Sequence, residues 1–120
     1  MSTLSYPPDP ALSARIALEL RRLRVPGHLR GSSYLAYMLS QAVPDPDQLH
    51  LITKNLYPDT GRHYGTTISS VERSVRNAVR SGWEKGGGGV LEEMADAPLE
   101  RCPTVSEFLH IVSDYIRRTS

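Results

Sequence analysis

With a single cysteine, Cys102, the 120-residue chain can form no intrachain disulfide, and a reducing cytoplasm suits it. His28, His50, His63 and His110 never pair at i, i+4 with an acidic third ligand, so no metal site is expected. No 18-residue apolar run exists that could span a bilayer, and the opening Met-Ser-Thr-Leu-Ser-Tyr-Pro-Pro lacks the basic flank and apolar core of a signal peptide. The Gly86 to Gly89 run has no apolar strand before it and no Gly-Lys-Ser/Thr after it, which excludes a phosphate-binding loop. Cys102 precedes Pro103 with no general base in view. The expectation is a soluble, non-enzymatic protein without catalytic residues, cofactor or metal.

Net charge is also scarce, at +1, but it is unevenly spread. Residues 10 to 85 hold eleven Lys/Arg against six Asp/Glu, and residues 86 to 116 hold one Arg against six acids. A basic face backed by an acidic segment is compatible with DNA binding on one side and protein contact on another.

An apolar content of 39% in 120 residues supports one modest core. Residues 1–8 read as a flexible lead and 9–120 as one helical domain. Asp9-Pro10 offers an N-cap and a first-turn proline, and Leu12, Ile16, Leu20 and Leu23 follow on one helical face that ends before Pro26-Gly27. The other face carries Arg15, Arg21, Arg22 and Arg24. Leu35, Met38, Leu39, Ala42 and Val43 mark a second helix, stopped by Pro44-Asp45-Pro46. A third is expected from about Asp47 to His63, kinked at Pro58. Thr67 or Ser69 caps a fourth that reaches Trp83. The tetraglycine reads as a flexible joint, followed by a short helix from Val90 to about Ala95. Pro103-Thr104-Val-Ser-Glu107 has capping-box spacing, and Phe108, Ile111, Val112, Tyr115 and Ile116 form the buried stripe of the last helix. The fold expected is all-α, a six-helix orthogonal bundle.

Gly61 and Gly65 fit a helix-turn-helix over about residues 48–84, a small residue at the crossing and one tolerant of positive φ in the turn. In the recognition helix, about 68–83, Ile68, Val71, Val75, Ala78 and Val79 share one side at 100° per residue, the core side. The opposite stripe holds Ser69, Glu72, Arg73, Arg76, Asn77 and Arg80. Arginine suits guanine, glutamate suits cytosine N4 and asparagine suits adenine, so Glu72, Arg73, Arg76 and Asn77 are candidate base readers. Thr66, Thr67 and Ser69 lie at the helix N-terminus, where backbone amides attract phosphate, and Lys54, Arg62 and Arg80 are further candidate phosphate contacts.

From about Ile16 to Arg118 the chain resembles the C-terminal DNA-binding effector domain of the master sporulation response regulator of endospore-forming bacteria, the stage zero sporulation protein A family. The likeness lies in Ile52-Thr-Lys54-Asn-Leu-Tyr-Pro58-Asp, Tyr64-Gly-Thr-Thr67, Val71-Glu72-Arg73-Ser-Val-Arg76-Asn-Ala and Trp83, with weaker echoes in Val25-Pro26-Gly-His-Leu-Arg-Gly31 and Pro103-Thr-Val-Ser-Glu-Phe108. It implies a six-helix domain whose fourth helix reads short promoter boxes in the major groove, often as tandem dimers. By the same likeness Glu72, Arg73 and Arg76 match the base- and phosphate-contacting positions.

The sequence departs from the family pattern at Ser70 and Asn77, where arginine and histidine are usual. It departs again after Trp83, in a shorter, glycine-rich segment without the usual Phe-Gly-Tyr element. That region is implicated in contacts with polymerase and partner subunits. Only about 15 residues precede Ile16, so no receiver domain and no phosphorylation switch are expected, in a free-standing effector or a fragment. The expected partners are double-stranded DNA, a second copy on tandem sites and an RNA polymerase sigma subunit. The competing reading is a protein-interaction module of the same fold that modulates a full-length regulator or polymerase without reading DNA.

Overall fold

The computed structural model describes residues 9–120; the expected lead, residues 1–8, lies outside the described residues. Every regular element among the described residues is helical. Helix α1 (Pro10–Arg22) starts where the Asp9 carboxylate accepts the Ala11 amide at 3.0 Å, with Pro10 supplying a preset φ in the first turn. Helix α2 (Arg30–Ala42) is the central element, packed against α1, α4 and α6. Its predicted stripe of Leu35, Met38, Leu39, Ala42 and Val43 is buried throughout.

The expected third helix is instead three pieces: a 3-10 segment Pro46–Leu51, a π-turn Ile52–Leu56 and α3 (Tyr57–Tyr64). The break falls at Leu51, whose φ of −129° and ψ of 41° leave the helical region, and not at Pro58. Proline clashes with the carbonyl four residues back and donates no hydrogen bond. Widening the preceding turn, so that the Tyr57 amide bonds back five residues to the Ile52 carbonyl, lets Pro58 sit in the first turn of α3.

Helices α4 (Ile68–Gly82), α5 (Gly88–Ala95) and α6 (Val105–Arg118) complete the fold, with a second π-turn, Trp83–Gly87, between α4 and α5. The α-helices match the expected number, but the 3-10 and π segments between them make the helical count larger than a simple six. The tetraglycine is a tight junction and not a flexible joint. Gly86 adopts φ +98°, and a Cβ on Gly87 would lie 2.1 Å from the Leu23 carbonyl oxygen, so the chain turns directly over the end of α1 and α5 begins two residues earlier than expected. At α6 the capping box is complete: Thr104 Oγ1 accepts the Glu107 amide at 3.1 Å, and the Glu107 carboxylate accepts the Thr104 amide at 2.8 Å. The buried stripe of α6 is rotated from the expected one. Leu109 and Ser113 are fully buried, whereas Ile111 and Tyr115 are only half-buried, because α6 packs against α2 and α5 together.

Not all of the arginines on α1 face solvent. Glu19 is 3% exposed and accepts from Arg15 Nε and from Arg22 Nη1, both at 2.7 Å. Arg15 continues to Thr119 beyond α6, and Arg22 to Glu93 of α5. Arg15 and Arg22 are thus structural, whereas Arg21 and, just past the end of α1, Arg24 remain exposed.

Candidate nucleic-acid interface

The turn between α3 and α4 is built by two glycines with different duties. Gly65 adopts φ +66° and closes α3 as a Schellman motif, its amide donating to the Arg62 carbonyl at 3.4 Å and the Thr66 amide to the Gly61 carbonyl at 2.8 Å. A Cβ on Gly61 would lie 2.8 Å from the Thr66 carbonyl oxygen. Gly61 therefore makes room for the turn itself. A still closer approach to α4 comes from a different helix, at Gly31 of α2, where a Cβ would stand 2.1 Å from the Ser74 carbonyl oxygen of α4.

Thr67, and not Ser69, caps α4: its Oγ1 accepts the Ser70 amide at 3.0 Å. The remaining first-turn amides of α4 have no intrahelical carbonyl to reach, as at any helix start. Val71, Val75, Ala78 and Val79 are buried, which fixes the rotation of the helix. Ile68 was expected with them but is 46% exposed, because it lies in the first turn, beyond the edge of the packed surface.

With that rotation, Ser69, Glu72, Arg73, Arg76, Asn77 and Arg80 are all exposed along one face of α4. Glu72 and Arg76 approach each other to 4.0 Å, and each side chain is about half exposed. They form one wall of an open groove whose other walls are the 49–54 segment, including Lys54, and the start of α6, with Thr104 and Ser106. Tyr57 forms the floor; burial, and then the negative charge of Glu72, push its phenol above the ordinary value, with Arg76 opposing.

The structure thus brings Lys54 to Glu72 and Arg76 but leaves Arg62 apart, at the C-terminal end of α3, where it pairs with Asp59 at 3.3 Å. Asp59 also accepts from the Tyr37 hydroxyl at 2.8 Å. Burial and that bond hold the Tyr37 phenol well above its usual range. The His63 ring stacks on Tyr37 with centroids 4.4 Å apart. Thr66 is half-buried in the turn, and Arg80 lies near Cys102. Burial pushes the Cys102 thiol up, the direction opposite to an activated nucleophile.

Thr104 and Ser106 are not among the contacts expected from the sequence, and Tyr57 reads there only as core or groove-edge packing. Thr104 read only as a helix cap, and nothing local places the start of α6 beside a helix more than twenty residues upstream. Among the described residues, no group of three or more His, Cys, Asp or Glu is placed to hold a metal ion, and no helix is long and apolar enough to cross a membrane.

A family model described as sporulation initiation factor Spo0A C terminal matches residues 16–116. The matched span contains α2 to α5 entire, the second half of α1, most of α6, and every candidate contact named above. The all-helical chain, with its glycine turn and its exposed α4 stripe, belongs to the sporulation initiation factor Spo0A C-terminal family, a family of DNA-binding regulators of transcription in sporulation.

Proposed function

We propose that the chain is a sequence-specific double-stranded DNA-binding regulator of transcription that lays α4 in the major groove. The observation that carries this reading is the exposed row Glu72, Arg73, Arg76 and Asn77 on a helix rotated by its buried valines and entered through a capped turn. Arg73 and Arg76 bond guanine O6 and N7, Glu72 accepts from cytosine N4, and Asn77 pairs with adenine. Lys54, Arg62, Thr66, Thr67, Ser69 and Arg80 hold phosphates and set the register. Family membership supports this assignment, and so does the groove that joins Lys54 to Glu72 and Arg76.

In the cell such a protein is cytoplasmic and nucleoid-associated, binds tandem boxes as a homodimer, and contacts a polymerase sigma subunit through its acidic segment. Selection of binding sites from a random duplex pool tests the reading directly. A recovered consensus box supports it; salt-sensitive binding with no consensus sinks it.

One observation favours a protein partner as a second reading. Between the 98–103 loop and α6 lies a groove of Leu99, Pro103 and Ile111 edged by Glu100 and Glu107. If the chain modulates a full-length regulator or polymerase without reading DNA, co-elution with that partner in gel filtration survives nuclease treatment and the duplex pool yields no box.

A further inference from the structure

A separate groove runs between the C-terminal half of α1 and the start of α2, and it reaches from Tyr64, the last residue of α3, to Lys85, just past α4. Both ends of it belong to the helix-turn-helix and its continuation. Arg21, Arg24 and Lys85 line it, Ser32 and Ser33 add hydroxyls from α2, and no carboxylate does. Arg15 and Arg22 of the same helix are committed to Glu19, whereas among the described residues Arg21, Arg24 and Lys85 make no ion pair.

Arg24 supplies a second, independent observation. It closes α1 in the left-handed region, at φ +64°, with its amide donating to the Arg21 carbonyl at 3.0 Å and the Val25 amide to the Leu20 carbonyl at 3.1 Å. This is the position where glycine is usual, since a side chain there strains the backbone. A cation held at a conformational cost, among other unpaired cations, points to a counter-charge from outside the chain. The cations are contributed by the last turn of α1, the loop after it and the segment after α4, a spread that suits an extended polyanion better than one small anion.

We propose that this groove is a second phosphate track, in which Arg21, Arg24 and Lys85 hold the DNA backbone flanking the box read by α4. The proposal rests on α4 reading duplex DNA. Its test is fluorescence anisotropy across a salt series, on a duplex just covering the selected box and on one extended by about 10 bp, one helical turn, on each side. The full-length chain is compared with Arg24→Gly and with the triple variant Arg21→Gln, Arg24→Gly, Lys85→Gln.

Wild type is expected to bind the extended duplex more tightly than the short one. Arg24→Gly is expected to melt no lower than wild type and yet lose part of that gain, a combination that general destabilisation does not produce. The triple variant loses most of it, and its slope of log K against log salt shrinks by about 0.9 for each phosphate contact removed. Its preference for the selected over a scrambled box is unchanged. Wild-type affinity and slope for the triple variant on the extended duplex overturn the proposal. If in that case only wild type is retained on immobilised polyglutamate, the groove belongs to an acidic polypeptide. A wild-type chain that does not prefer the selected box fails the reading of α4 itself, a result visible without any variant.

Discussion

Arg76 and Glu72 show how residue-scale energies separate holding a shape from reading a sequence. Their 4.0 Å contact joins two half-exposed side chains at i, i+4, an arrangement worth about 0.3–0.5 kcal/mol. A bidentate arginine–guanine contact discriminates by about 1–3 kcal/mol. The intrahelical pair is therefore weak enough to give way to a base, as the proposed reading requires. Arg76→Ala is expected to lose about 1–3 kcal/mol of discrimination at one guanine, measured by titrating duplexes substituted at that position. Lys54→Ala, by contrast, weakens binding to all duplexes alike and reduces the salt slope by about 0.9. If Arg76→Ala instead weakened every sequence equally, Arg76 would be a phosphate contact and the base-reading role would pass to its neighbours.

Among the elements, the decisive contact is the crossing of α2 under α4. Gly31 lets the Ser74 carbonyl approach so closely that a methyl group would stand 2.1 Å from its oxygen. Alanine there gains about 1 kcal/mol in helix propensity, but overpacking costs about 1–3 kcal/mol and more when the obstacle is backbone. Gly31→Ala should lower the urea midpoint and, by displacing α4, weaken DNA binding. Gly27→Ala, with nothing within 4 Å of the added carbon, should leave the urea midpoint within error. At α6 the capping box links stability to pH. The Thr104 amide hydrogen bond, assisted by Arg101 at 3.6 Å, holds the Glu107 carboxyl below its ordinary value of 4.5. The native state thus favours ionised Glu107. Its contribution is complete above the unfolded value and is lost as pH falls through the lower folded one. Urea melts from pH 5 downward should lose stability more steeply for wild type than for Glu107→Gln.

On the scale of the whole molecule, Glu19 ties together parts of the chain that the sequence keeps far apart. Through Arg15 and Arg22 it connects α1 to Thr119 and to Glu93. Removing one partner of a buried pair costs about 3–5 kcal/mol, and the arginines here, 25% and 36% exposed, recover part of that in water. Glu19→Ala should therefore cost about 2 kcal/mol in denaturant melts, without changing which DNA sequence is preferred. An unchanged midpoint would mean that the network is only a surface decoration. Glu19 was not legible in advance, because a glutamate between arginines on a helix reads as solvated charge until α5 and the C-terminus are brought against it. The sequence by itself determined whatever depends on neighbours within a turn or two: the Asp9 and Thr104 caps, the stripe of α2, the positive φ at Gly65, and the division of α4 into a buried and a polar face. These are set by periodicity, short-range hydrogen bonds and backbone sterics. Only the tertiary structure decided that Gly31 of α2 sits at a tight crossing with α4. It also decided that the tetraglycine wraps the Leu23 carbonyl, and that the start of α6 joins Lys54, Glu72 and Arg76 around one groove. Those outcomes depend on which surfaces meet across the fold, and no local pattern encodes a contact whose two halves are brought together only by packing.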